Sequence, residues 1–158
     1  RRAGVEPLGF RAPGGTRGEF AQEILQELKF LYDSSVDGEF TGGEPVVEAD
    51  DYAGDGVGRI GGLVSIPWRW SMIDAVQYSL SPVGLRDPAK LADHWSRVID
   101  NVRATDGVLT AIFHAHVSGL DDKRLEALRR VISHALEIGV KVKTAKEVAE
   151  KARPGLLR

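Results

Sequence analysis

The sequence predicts an α/β fold, a parallel sheet whose short strands are joined by amphipathic helices. Three observations carry the prediction. Short, largely apolar segments of four to six residues occur at 8–12, 63–66 and 108–113. Stripes with the i, i+3, i+4, i+7 spacing of a helix alternate with them. Capping and turn residues mark the joins. Strands separated by helical patterns argue for a sheet with right-handed crossovers.

In chain order, residues 8–12 read as a strand stopped by the turn signal Pro13-Gly14-Gly15. Ala21, Ile24, Leu25, Leu28 and Leu31 form one helical stripe, and residues 30–36 end that helix and begin a short strand. Residues 37–62 are polar, acidic and glycine-rich, and read as a long loop or insertion. A strand at 63–66 stops at Pro67, and an aromatic segment follows. Asp87 is an N-cap with Pro88 at the first helical position, before the stripe Leu91, Trp95, Val98, Ile99, Val102. Residues 108–113 are the most apolar run and read as a buried strand. Asp121 or Asp122 caps a helix with Leu125, Leu128, Val131, Ile132 and Leu136 on one face, and Gly139 ends it. Residues 141–144 form a brief strand, and Thr144-x-x-Glu147 is a capping box for a last helix.

The 158 residues suit a single domain able to bury about 68–70% of its unfolded surface. Apolar residues make up 42% and charged residues 28%, ordinary values that exclude collagen, coiled coil and wholesale disorder. The net charge of -2 comes without a basic stripe, so nucleic acid is not the expected partner. No run reaches the ~18 apolar residues of a membrane span. Without cysteine there are no disulfides, thiolate metal sites or cysteine nucleophiles, and the compartment stays open, the cytoplasm slightly favoured. The start at Arg1-Arg2 leads us to expect a natural start upstream.

Sites in α/β folds gather beyond the C-terminal ends of strands. Three segments fall there: Arg11-Ala12-Pro13, the stretch from Trp70 to Asp74, and His114-Ala115-His116. Two imidazoles at i and i+2 share one face of an extended segment, where they could bind a metal or one could act as an acid. His94 is in phase with Leu91 and Val98 and reads as a core-edge histidine, and His134 lies beside an apolar stripe. Arg11, at a strand end before a turn, could orient a carboxylate. Trp68 and Trp70 default to packing. Asp74 could tune an imidazole, although spacing alone does not join it to His114. Asp50, Asp51 and Asp55 lack calcium-loop spacing and read as a solvated acidic loop. Gly56-x-Gly58-x-x-Gly61 follows no strand and opens no helix, so it is rejected as a dinucleotide fingerprint.

Taken together, the segments resemble the polysaccharide deacetylase family, also called NodB-homology or carbohydrate esterase family 4. Gly9-Phe10-Arg11-Ala12-Pro13-Gly14 resembles its Arg-x-Pro motif, and the stretch ending Tyr32-Asp33-Ser34-Ser35 its continuation. Ile66-Pro67-Trp68-Arg69-Trp70-Ser71-Met72-Ile73-Asp74 is similar to a segment of the peptidoglycan-deacetylase-like branch. Ile112-Phe113-His114 followed by Val117-Ser118-Gly119 resembles the late histidine motif, with Ala115 where proline is usual. The resemblance covers residues 4–150, and implies the C-terminal half of the domain, part of a distorted (β/α) barrel whose N-terminal half is missing.

That resemblance implies hydrolysis of N-acetyl amides in sugar polymers, or of a smaller amide, assisted by a divalent metal, usually zinc, held by the absent half and not by this chain alone. It assigns His114 as general acid (His116 the alternative), Asp74 as its tuner, Arg11 as the holder of a catalytic aspartate, and Trp70 and Pro13 as substrate-binding residues. Open strand edges and apolar faces imply a homo-oligomer or a companion chain with the other half. Two other functions compete: a non-catalytic carbohydrate-binding or assembly protein, and a separate metal hydrolase using His114 and His116.

Overall fold

The computed structural model describes Gly4 and residues 6–35 and 54–152. The chain forms two compact units, one from 1–39, 56–68 and 143–158, the other from 40–55 and 69–142.

The first unit holds a four-stranded mixed sheet: β1 (Gly9–Phe10), β2 (Tyr32–Asp33), β3 (Gly58–Ile60) and β4 (Leu63–Ser65) in the order β1-β2-β4-β3. The pairs β1–β2 and β2–β4 are parallel, and β3 is antiparallel to β4. Gly9 lies opposite Tyr32, and any Cβ there would overlap the tyrosine ring. Within the stretch expected to be a loop, β3 is thus a strand. Its two-residue turn through Gly61, at φ +56°, closes a hairpin onto β4. The rest of that expected loop, 36–53, lies outside the described residues.

Helix α1 (Ala21–Glu27) is shorter than its apolar stripe. Lys29 turns left-handed at φ +59°, and the N–H groups of Lys29 and Phe30 donate to the carbonyls of Gln26 and Leu25, closing the helix end. Leu25 is buried, but Ile24 and Leu28 are 51% and 58% exposed, so the expected stripe is only partly covered.

The segment 141–144 is not a strand. Thr144 instead caps α5 (Ala145–Ala152): its N–H donates to Glu147 Oε2 at 2.8 Å, and the Glu147 N–H donates to Thr144 Oγ1 at 3.2 Å. Ala149 packs with Val64 and Ile66, which ties α5 to the sheet.

The second unit is organised by α2 (Pro88–Ala104) and α4 (Asp122–Glu137). Asp87 and Asp121 accept the N-terminal N–H groups of Lys90 and Arg124, as expected. Leu91, Trp95, Val98, Ile99 and Val102 are all buried, each large side chain contributing about 1.5–3 kcal/mol. The face of α4 in the core is Ala127, Val131 and Ala135, so of the expected stripe only Val131 is fully buried. Leu125 and Leu128 are half-buried, and Ile132 and Leu136 are exposed. Small residues let the two helices approach closely. Gly139 ends α4 at φ +80°, donating to the Leu136 carbonyl while Val140 donates to that of Ala135.

Residues 108–113 do not form the expected buried strand. They are half-buried apart from exposed Ala111, and pair only at two isolated bridges, Asp55 with Val108 and Ile73 with Ile112. The segment that could partner them winds into a 3₁₀ turn (Trp70–Met72) and a π-helical turn (Val76–Leu80), so no second strand runs alongside. Asp55 is buried, its Oδ2 accepting the Thr110 N–H at 2.9 Å, which corrects its reading as a solvated loop residue.

Candidate active site

Within the second unit, one bridge sets the geometry. The Ile112 N–H donates to the Met72 carbonyl at 3.0 Å, and the Asp74 N–H to the Ile112 carbonyl at 3.1 Å. One step beyond, the chain turns into the short helix α3 (Ala115–Ser118), with His114 at its N-terminal boundary. This register places Asp74 against His114, 40 residues away.

Asp74 is fully buried. Its Oδ1 meets His114 Nδ1 at 2.6 Å and accepts the Ala75 N–H at 2.7 Å. Its Oδ2 accepts the His114 N–H at 2.7 Å and the Ser118 hydroxyl at 2.6 Å. Burial pushes the carboxyl pKa up, but the hydrogen bonds from His114, Ser118 and Ala75 outweigh it, and the pKa lies below its ordinary value. An ionised Asp74 accepts a hydrogen bond from Nδ1–H, which leaves Nε2 as the outer nitrogen of a ring whose side chain is 39% exposed.

His116 does not share an extended face with His114, as the sequence pattern had suggested, because it lies inside α3. The two rings still approach edge to face, 5.5 Å between centroids. His94 is buried, as its phase implied, and His134 Nε2 pairs with Asp100 at 2.7 Å on the surface. Trp70 is half-buried at the start of its 3₁₀ turn.

In the first unit, residues following the three parallel strands form a separate network. Arg11, after β1, donates from Nε to the Ser34 carbonyl at 3.0 Å and from a terminal nitrogen to Ser34 Oγ at 2.8 Å. Ser34 Oγ donates to the Ile66 carbonyl, and Trp68 Nε1 to the Ser34 carbonyl, each at 2.8 Å. The Arg11 guanidinium lies 6.0 Å from the Trp68 ring centre. Burial lowers the Arg11 pKa, with Tyr32 opposing. Pro13 is exposed in a turn closed by Gly15 N–H on the Ala12 carbonyl at 2.8 Å. Beneath lies Asp33, paired with Arg17 at 2.7 Å and accepting the Ser35 hydroxyl at 2.7 Å.

The chain is similar to a solved structure described as "putative polysaccharide deacetylase from Mycobacterium smegmatis". The two share 27% identity with a TM-score of 0.74, over 99% of this chain and 52% of that one. The chain thus spans about half the length of the structure it matches. No protein-family model matches the sequence, and no curated protein matches it. The similarity supports an α/β fold like that of the matched half of that protein.

Among the described residues, no three His, Asp or Glu side chains come together as a metal-binding group. His114 Nδ1 is engaged by Asp74. The described residues therefore do not fit a metal centre. Among them, no helix is long and apolar enough to cross a membrane.

The sequence motifs include Asp33 and Ser118 but give them no role, and Arg17 is not among the candidates. For Ser118 a signal existed: it lies four residues after His114, one helical turn away. Nothing local pointed to Arg17.

Proposed function

We propose that this chain carries the proton-donating part of a hydrolase that cleaves amide bonds, in the manner of a polysaccharide deacetylase acting on N-acetylated sugars or related amides. The observation that carries the reading is the contact between His114 Nδ1 and the buried Asp74 carboxylate. In the reaction, a water oxygen bonds to the acyl carbon, its proton leaves to a base outside the described residues, and the carbon–nitrogen bond breaks. His114 Nε2–H then protonates the departing nitrogen, so the amine leaves neutral. Asp74 holds the ring in the tautomer that carries its Nε2 proton only in the charged form, and balances that charge.

Arg11 fits the role of holding a carboxylate, because Ser34 and Trp68 fix its guanidinium environment. Trp70 and Pro13 are the proposed substrate contacts. A divalent metal, where such chemistry uses one, would supply Lewis-acid activation of the amide. In this reading its ligands come from residues beyond those described, in a longer chain, a companion chain or a second copy.

The test compares His114→Ala, His116→Ala and the parent in the natural full-length protein. Acetate release from a soluble N-acetylglucosamine oligomer is measured, with metal content determined on the same samples. Loss of the acid should lower turnover about 10²–10⁴-fold with unchanged metal content. A loss seen only in His116→Ala moves the acid to that residue, and small, equal effects overturn the reading in favour of a non-catalytic carbohydrate-binding protein.

A further inference from the structure

We infer that Ser118 is a positioning residue that holds the Asp74 carboxylate so that Oδ1 faces the His114 ring. The inference deepens the reading of His114 as the acid and rests on it for its functional meaning. A carboxylate can rotate about its last side-chain bond, and either oxygen could face the imidazole. Here the two oxygens have different partners. Oδ1 meets the ring and the Ala75 N–H, whereas Oδ2 receives the His114 N–H and the Ser118 hydroxyl. Of these donors, Ser118 is the one side chain other than the His114 ring itself.

The placement follows from the local fold. The Val117 and Ser118 N–H groups both donate to the His114 carbonyl at 2.9 Å, starting α3. One turn therefore returns Ser118 to the carboxylate that His114 already touches. Ser118 is 4% exposed, so water does not readily replace its hydroxyl at 2.6 Å from Oδ2. An O–H to carboxylate bond this short is charge-assisted and directional. Without it, Oδ2 keeps a single donor, and the carboxylate is free to tilt and release the ring to its other tautomer.

The experiment uses the full chain, ¹⁵N-labelled at histidine, with Ser118→Ala, Ser118→Thr and Ser118→Cys. Long-range ¹H–¹⁵N spectra, recorded at a pH where the His114 ring is neutral, report its tautomer without any need for activity. The parent and Ser118→Thr should show the Nδ1–H form. Ser118→Ala should show a mixture of tautomers, and, in the active full-length protein, a kcat about 10-fold lower with little change in KM. A parent-like tautomer in folded Ser118→Ala overturns the inference. Should that variant not fold, Ser118→Cys, a weaker donor of similar size, decides: a mixed spectrum supports the clamp and a parent-like one overturns it. Because the spectra do not depend on catalysis, a failed acid role for His114 leaves this result readable on its own.

Discussion

Replacing Asp74 by asparagine keeps the shape at the centre of the dyad and removes its charge and one acceptor. In the parent, each carboxylate oxygen accepts one backbone N–H, from Ala75 at 2.7 Å and from His114 at 2.7 Å. The other two partners, the His114 ring and the Ser118 hydroxyl, can reverse their roles. The backbone groups cannot. An amide nitrogen at either position therefore faces a buried N–H that loses its acceptor, which costs about 1–3 kcal/mol. Weakening of the remaining charge-assisted bonds adds to this, and removal of a buried charge offsets part of it. The expected loss is about 2–3 kcal/mol at neutral pH, read from urea denaturation.

The pH dependence has a definite sign. The Asp74 carboxyl is held below its ordinary value of 3.8, burial raising it and hydrogen bonds from His114, Ser118 and Ala75 lowering it by more. Its folded value lies below its unfolded one, so its contribution is complete above that ordinary value and is lost as pH falls through the folded value. The parent should therefore lose its advantage over Asp74→Asn in acid, and the two stability curves should converge there. A variant within about 0.5 kcal/mol of the parent at pH 7, or a gap that persists unchanged in acid, would refute the reasoning.

Gly9→Ala should destabilise the chain by about 1–3 kcal/mol, because the new methyl overlaps the Tyr32 ring across β1 and β2; equal denaturation midpoints would contradict the observed register. The Glu147 carboxyl should titrate at about 2 rather than 4.5, held down by Lys143 and the Thr144 cap. Its support for α5 is then present above 4.5 and lost as pH falls toward about 2, which a carboxyl NMR titration reads directly. A normal midpoint would mean the capping box does not persist in solution.

What could be read in the sequence was local. The caps at Asp87, Asp121 and Thr144, the glycine at 139 and the stripe of α2 all stand as expected, because each depends on groups within a turn or two of chain. The α/β class was legible for the same reason. Tertiary structure decided the rest. An apolar run at 108–113 specifies burial but not pairing, and its neighbour wound into turns instead of a strand. The face of α4 that entered the core was chosen by α2, since a wide apolar stripe permits more than one rotation. His114 and Asp74 could be singled out from motif resemblance, yet their contact depends on the Ile73–Ile112 bridge, a long-range pairing that no local propensity encodes. Ser118 joined them only because the chain turned helical directly after His114, where an extended continuation would have carried it away.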